Sequence, residues 1–142
     1  MSENVEATQN LFRIWNTREF EALIPFVTED VVWKPATMEA VEGGSFEGVQ
    51  GLRQFFDEWD QTWRVWEVEP QEIREVDDRV LVLGHVRAEG RESGLALDQP
   101  AAYLFEFRNG LLARGATYFD HDEAIAAAEE RGGAGAGAGA TP

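Results

Sequence analysis

AAYLFEFRNGLLARGATYF, residues 101–119, consists of two strand-length segments divided by Asn109-Gly110. A two-residue hairpin turn needs positive φ at both central residues, which Asn and Gly tolerate better than other residues do. AAYLFEFRNG and LLARGATYF are therefore expected to fold back on each other. The same punctuation runs upstream, where RVLVLGHVRAEG (79–90) lies between Asp77-Asp78 and the stretch Gly90 to Gly94, and VEPQEIREV (68–76) precedes the aspartates. Four successive strands joined by short turns make an antiparallel meander.

Before the meander the period changes from two to between three and four. VQGLRQFFDEWDQTWRVW (49–66) places Leu52, Phe55, Phe56, Trp59 and Trp63 on one helical stripe, with Trp66 at or past the helix end. Such a stripe packs a core against a sheet or forms the aromatic wall of a ligand cavity. The first segment, VEATQNLFRIWNTREFEALIPFV (5–27), reads as a helical hairpin: Val5, Thr8, Leu11, Phe12 and Trp15 share one face. Asn16-Thr17 offers oxygens to cap a second helix carrying Phe20, Leu23 and Ile24, which Pro25 ends or kinks. EDVVWKPAT (29–37) reads as a short strand closed by Pro35, and MEAVEGGSFEG (38–48) as an exposed loop.

Composition sets the outer bounds. A chain of 142 residues with 44% hydrophobic content suits one domain, able to bury about two thirds of its unfolded surface. The absence of cysteine removes disulfides, thiolate nucleophiles and Cys-ligated metal sites, and a reducing compartment is compatible. A net charge of −15 repels phosphate backbones and anionic lipid, so neither nucleic acid nor a membrane is expected as partner. MSENVEATQNLFRIW lacks the basic region and apolar run of a signal peptide, and no stretch reaches membrane-spanning length. A cytoplasmic protein is expected.

YFDHDEAIAAA, residues 118–128, sets one of two histidines between Asp120 and Asp122. Asp120-x-x-Glu123 before a helical run resembles a capping box, and acidic residues suit a helix N-terminus. One imidazole among scattered acids is a poor metal site, so no metal or cofactor is expected. The tail GGAGAGAGATP (132–142) cannot bury a core and is expected to be disordered or a linker.

The phrases FEALIPFVTEDVVWKPA, FEGVQGLRQFFDEW, Ser93-Gly94 before a long strand, FEFRNGLLARGATYFD and DEAIAAA resemble the SnoaL-like branch of the nuclear transport factor 2-like (NTF2-like) superfamily, over roughly residues 5 to 130. The resemblance implies an α+β fold, an NTF2-like cone in which a curved antiparallel sheet wraps three N-terminal helices around a central apolar pocket, within residues 1–131. It also implies a homodimer and an apolar small molecule as ligand. Ketosteroid isomerases, polyketide cyclases and limonene-type epoxide hydrolases are among the relatives.

Each enzymatic relative asks for particular groups. The isomerase base is an aspartate preceding a proline, and Lys34 stands there before Pro35. The hydrolases use an Asp–Arg–Asp arrangement. Asp120 resembles its closing aspartate, but the strand supplies only His85, Arg87 and Glu89 for the rest. The cyclases use pocket acid–base residues, and His85 suits that work because imidazole exchanges protons near neutral pH. The expected catalytic candidates are thus His85, Asp120 and Tyr118, and the ligand contacts Trp15, Trp33, Phe55, Trp59, Trp63, Arg87 and Tyr103. Two functions follow: a domain binding an apolar molecule without an assignable reaction, or a cofactor-independent acid–base enzyme of cyclase, isomerase or hydrolase type. The strand face that lines the pocket is left open, Tyr103 sharing one with Phe105 and Phe107, and Tyr118 sharing one with Arg114 and Asp120.

Overall fold

The computed structural model describes residues 3–35 and 45–134. Its elements in chain order are α1 (Glu3–Thr17), α2 (Phe20–Leu23), a 3-10 turn (Ile24–Phe26), β1 (Val27–Lys34), β2 (Phe46–Glu47), α3 (Gly48–Thr62), β3 (Trp63–Val76), β4 (Arg79–Gly90), β5 (Ala96–Arg108), β6 (Leu111–Tyr118) and α4 (His121–Ala134). The β5–β6 hairpin turns through Asn109 and Gly110, both at positive φ (55° and 81°), as the dipeptide dictates. Asp77, also at positive φ, turns β3 into β4. None of the described helices is long and apolar enough to cross a membrane.

The six strands form one sheet in the order β2-β1-β6-β5-β4-β3. The meander β3 to β6 is antiparallel throughout, while β1 joins β6 in parallel. The sheet is curved and unclosed, and its register breaks at Trp63/Val65 and Pro70/Glu72 of β3, Val27/Val32 of β1 and Glu106/Phe107 of β5. An extra residue in one strand tightens the local twist and bends it. Pro70 is tolerated because β3 is an edge strand. Opposite it, a Cβ on Gly84 would stand 2.2 Å from the Glu69 carbonyl oxygen, so glycine alone lets the bulged strand come this close.

Two cores result. On the inner face, Val80, Val82, Val86 and Tyr103 pack against Leu11, Phe12 and Trp15 of α1, Phe20 and Leu23 of α2, and Leu52 and Phe56 of α3. On the outer face, Leu81, Leu83, Ala102 and Leu104 receive Ala124 and Ala128 of α4. Helix α4 is fixed at three points. Asp120 Oδ1 accepts from the amides of Asp122 (2.8 Å) and Glu123 (3.4 Å), His121 Nε2 donates to the Gly84 carbonyl (2.9 Å), and the buried Arg79 donates to the Ala128 carbonyl (2.5 Å).

Several local expectations need correction. The second N-terminal helix is only four residues long before the 3-10 turn, and its N-cap, Glu19, makes no side-chain cap bond. Asn16 does not cap it, because its amide reaches across to β3: Asn16 Nδ2 donates to the Val68 carbonyl (2.9 Å) and Asn16 Oδ1 accepts from the Val68 amide (3.0 Å). Trp63 belongs to β3 rather than to the helix stripe, although its amide still donates to the Trp59 carbonyl. Phe46 and Glu47 pair with Trp33 and Val32 as β2 instead of lying in a loop. The rest of that loop, residues 38–44, lies outside the described residues, as does the tail from 135 onward, while α4 continues to Ala134.

Candidate functional site

The inner face of the sheet and helices α1 and α3 enclose an apolar cavity of about 90 Å³. Helix α1 contributes Phe12 and Trp15 and α3 contributes Leu52, Phe55 and Trp59, residues that recur every three or four positions and so share one face. From the sheet come Trp33 of β1, Val86 of β4, Tyr103 and Phe105 of β5, and Thr117 and Tyr118 of β6. Phe119, a lining residue with 40% of its surface in water, marks where the cavity meets solvent.

Ring contacts set the shape. Phe55 lies between three indoles, with centroids 6.2 Å from Trp15, 5.7 Å from Trp33 and 6.0 Å from Trp59. Trp33 depends on a glycine: a Cβ on Gly115 would meet Cζ3 and Cε3 of its indole at 2.6 and 2.8 Å. Tyr103 meets Phe12 edge-on at 5.0 Å, and burial pushes its phenol above the ordinary value of 10.0, so it stays a neutral hydroxyl. The described lining carries no carboxylate, imidazole, ammonium or guanidinium group.

Of the residues singled out from sequence, Trp15, Trp33, Phe55, Trp59, Tyr103 and Tyr118 come together around this cavity. Tyr118, the last residue of β6, also packs against the α4 cluster. Trp63 stands behind the wall, 5.7 Å from Trp59. His85 is on the other side of the sheet. On β4 the even-numbered Val80, Val82 and Val86 face the inner core and Leu81 and Leu83 face α4, so His85 and Arg87 share the outer face. His85 Nδ1 is buried with no hydrogen-bond partner among the described residues. Arg87 pairs with Glu67 (3.2 Å) and Glu69 (3.7 Å), and Glu89 with Arg64. Asp120 is engaged in capping α4, and Lys34 is exposed while its neighbour Pro35 lines the cavity. Among the described residues no three His, Asp or Glu side chains gather as a metal site.

Sequence reasoning missed Phe12, Leu52, Phe105 and Thr117 as lining residues. Phe12 and Leu52 were legible as apolar stripe positions, and Phe105 shares the face of Tyr103. Thr117 gave no signal, since threonine is mostly an exposed residue and nothing in its spacing sets this one apart.

A curved open sheet closed by helices around one apolar cavity defines an α+β cone. A family model described as a SnoaL-like domain matches residues 8–115, more than half of the chain, and the protein belongs to that family. Among solved structures, an NTF2-like protein of unknown function from Burkholderia pseudomallei K96243 is similar over 88% of this chain and 96% of its own, with a TM-score of 0.75 and 22% identity. A putative SnoaL-like polyketide cyclase from Jannaschia sp. CCS1 is similar over 88% of this chain and 90% of its own (TM-score 0.72, 18% identity). A Mycobacterium tuberculosis protein in complex with estradiol-17β-hemisuccinate is similar over 86% and 97% (TM-score 0.71, 19% identity). No curated protein matches the chain in sequence.

Proposed function

We propose that this SnoaL-like domain binds a small, neutral, apolar molecule in the inner-face cavity, with Trp15, Trp33, Phe55, Trp59, Tyr103 and Tyr118 as its contacts. The observation that carries this is a cavity walled by aromatic rings whose described lining offers hydroxyl and indole groups but no charge. A charged ligand would lose its hydration there without a partner, whereas a ring exchanges water for aromatic contacts. The ligand-bound M. tuberculosis relative supports a binding role for a cavity on this fold. One water needs roughly 10–15 Å³, so 90 Å³ holds several waters or one small ring, and a larger ligand requires the walls to turn.

The proposal includes a homodimer and a cytoplasmic location. The outer sheet face beyond α4 supports the former, since Val65 is 50% exposed there beside the Arg64–Glu89 pair. A chain without cysteine suits the latter.

Tryptophan fluorescence tests the binding role, because Trp15, Trp33 and Trp59 all border the cavity. Titration with monocyclic ketones and arenes is expected to change the emission saturably. An unchanged spectrum and an unchanged melting temperature across that panel would overturn the proposal.

A further inference from the structure

Asn109-Gly110, at the tip of the β5–β6 hairpin, is the one Asn-Gly pair in the chain. Both residues hold positive φ, 55° and 81°, and Asn109 is exposed. The flanking Arg108 and Leu111 pair across the ladder, so the Gly110 N–H lies in the middle of a two-residue turn and is not needed to close it. Glycine also brings no Cβ beside that nitrogen. A carboxamide carbon thus stands next to an uncrowded backbone nitrogen at an exposed turn.

The other three asparagines lack this setting. Asn4, Asn10 and Asn16 all lie in α1 and are followed by Val5, Leu11 and Thr17, whose side chains crowd the next nitrogen. Asn16 is held further by its bonds to the Val68 amide and carbonyl.

We propose that Asn109 is a site of spontaneous covalent modification, in which its side-chain amide is lost to attack by the Gly110 nitrogen. That nitrogen gives up its proton and bonds to Asn109 Cγ, the Cγ–Nδ2 bond breaks, and Nδ2 leaves with the proton as ammonia. Water then opens the succinimide ring. Cleavage between the nitrogen and Cγ yields aspartate, and cleavage at the main-chain carbonyl carbon yields isoaspartate, whose backbone runs through the side chain.

Either product adds a negative charge in a poor place for one. A Cβ on Gly110 would stand 3.4 Å from Glu3 Oε2, so a carboxylate from the first turn of α1 already borders the hairpin tip. Arg108, beside the site, is engaged with Asp30 at 2.6 Å. Isoaspartate does more, because its extra main-chain carbon lengthens a turn that closes with only two residues.

The test holds the wild-type protein in mildly alkaline buffer, native and in parallel unfolded in urea, and follows each asparagine by peptide mapping with mass spectrometry. Native Asn109 is expected to convert to aspartate and isoaspartate over the time in which the unfolded chain does so, with Asn4, Asn10 and Asn16 intact. A native Asn109 amide that survives throughout that time would overturn the proposal. The converted protein, separated by charge, is expected to unfold at lower urea than the unmodified protein. Asn109→Asp supplies the charge without the longer backbone. It is expected to show a smaller loss, which Glu3→Gln restores. A urea midpoint unmoved by Asn109→Asp would overturn the clash with Glu3 and leave the modification to be judged by the peptide map.

Discussion

Gly115 illustrates how one missing methyl group shapes the site. Trp33 rests on its backbone with a clearance that no Cβ could share, 2.6 Å to Cζ3. Gly115→Ala is expected to drive the indole into the cavity, to lower stability by about 1–3 kcal/mol as overpacking does, and to abolish binding. Urea denaturation alongside a ligand titration checks both effects. Tyr103 gives a pH prediction. Its folded phenol is raised above 10.0 by burial, whereas the unfolded chain ionises near that value. The stability tied to it is fully present below about pH 10 and declines as pH rises further, because only the unfolded state releases the proton. Tyr103→Phe is expected to flatten the alkaline limb of a stability-versus-pH curve, and an unchanged limb would assign the loss elsewhere. The aromatic contacts were legible in the sequence because helical spacing names a face. His85 was not, because Val80 to Leu83 are buried on both sides of β4. Where helices cover both faces of a strand, alternation disappears and parity no longer tells inside from outside.

Among the elements, α4 makes the outer core possible and begins at a cap that was legible four residues ahead of its apolar positions. Asp120→Ala removes the acceptor for two amides. It is expected to cost about 0.5–2 kcal/mol, measured by urea midpoint, and to leave ligand affinity unchanged because Asp120 does not line the cavity. A fall in affinity equal to that of a cavity variant would return Asp120 to the site. Elements whose partners lie far along the chain were less legible. Phe46 and Glu47 become a strand only because β1 is beside them, and two residues carry no period of their own. Asn16 read as a cap because capping is local chemistry, while its partner Val68 lies 52 residues away. Trp63 satisfies both patterns at once, since its amide closes the last helical turn while its backbone is already extended.

At the scale of the molecule, the helices pack over the inner face of a sheet whose edge strand β3 lies close against β4. At the register break of β3, Glu69 and Pro70 lie against Gly84, where a Cβ would stand 2.2 Å from the Glu69 carbonyl oxygen, and α1 and α3 pack over the curved sheet. The order of the elements and the meander were readable from turn residues. The parallel addition of β1 to β6 was not, since no local signal records which distant strand a segment will join. The bond between Asn16 and Val68 carries a consequence beyond folding. Strand β3 is a sheet edge, and its outward amide and carbonyl at Val68 are a template on which a second extended chain could add. The asparagine amide fills that position like one residue of a seventh strand. Asn16→Ala should therefore reopen the template. Light scattering that grows with protein concentration, with the native fold still present by circular dichroism, is the expected result. A variant that stays dispersed would show that α1 alone shields the edge. If the scattering grows instead, a single side-chain amide is what keeps this sheet from extending, copy upon copy, into a filament.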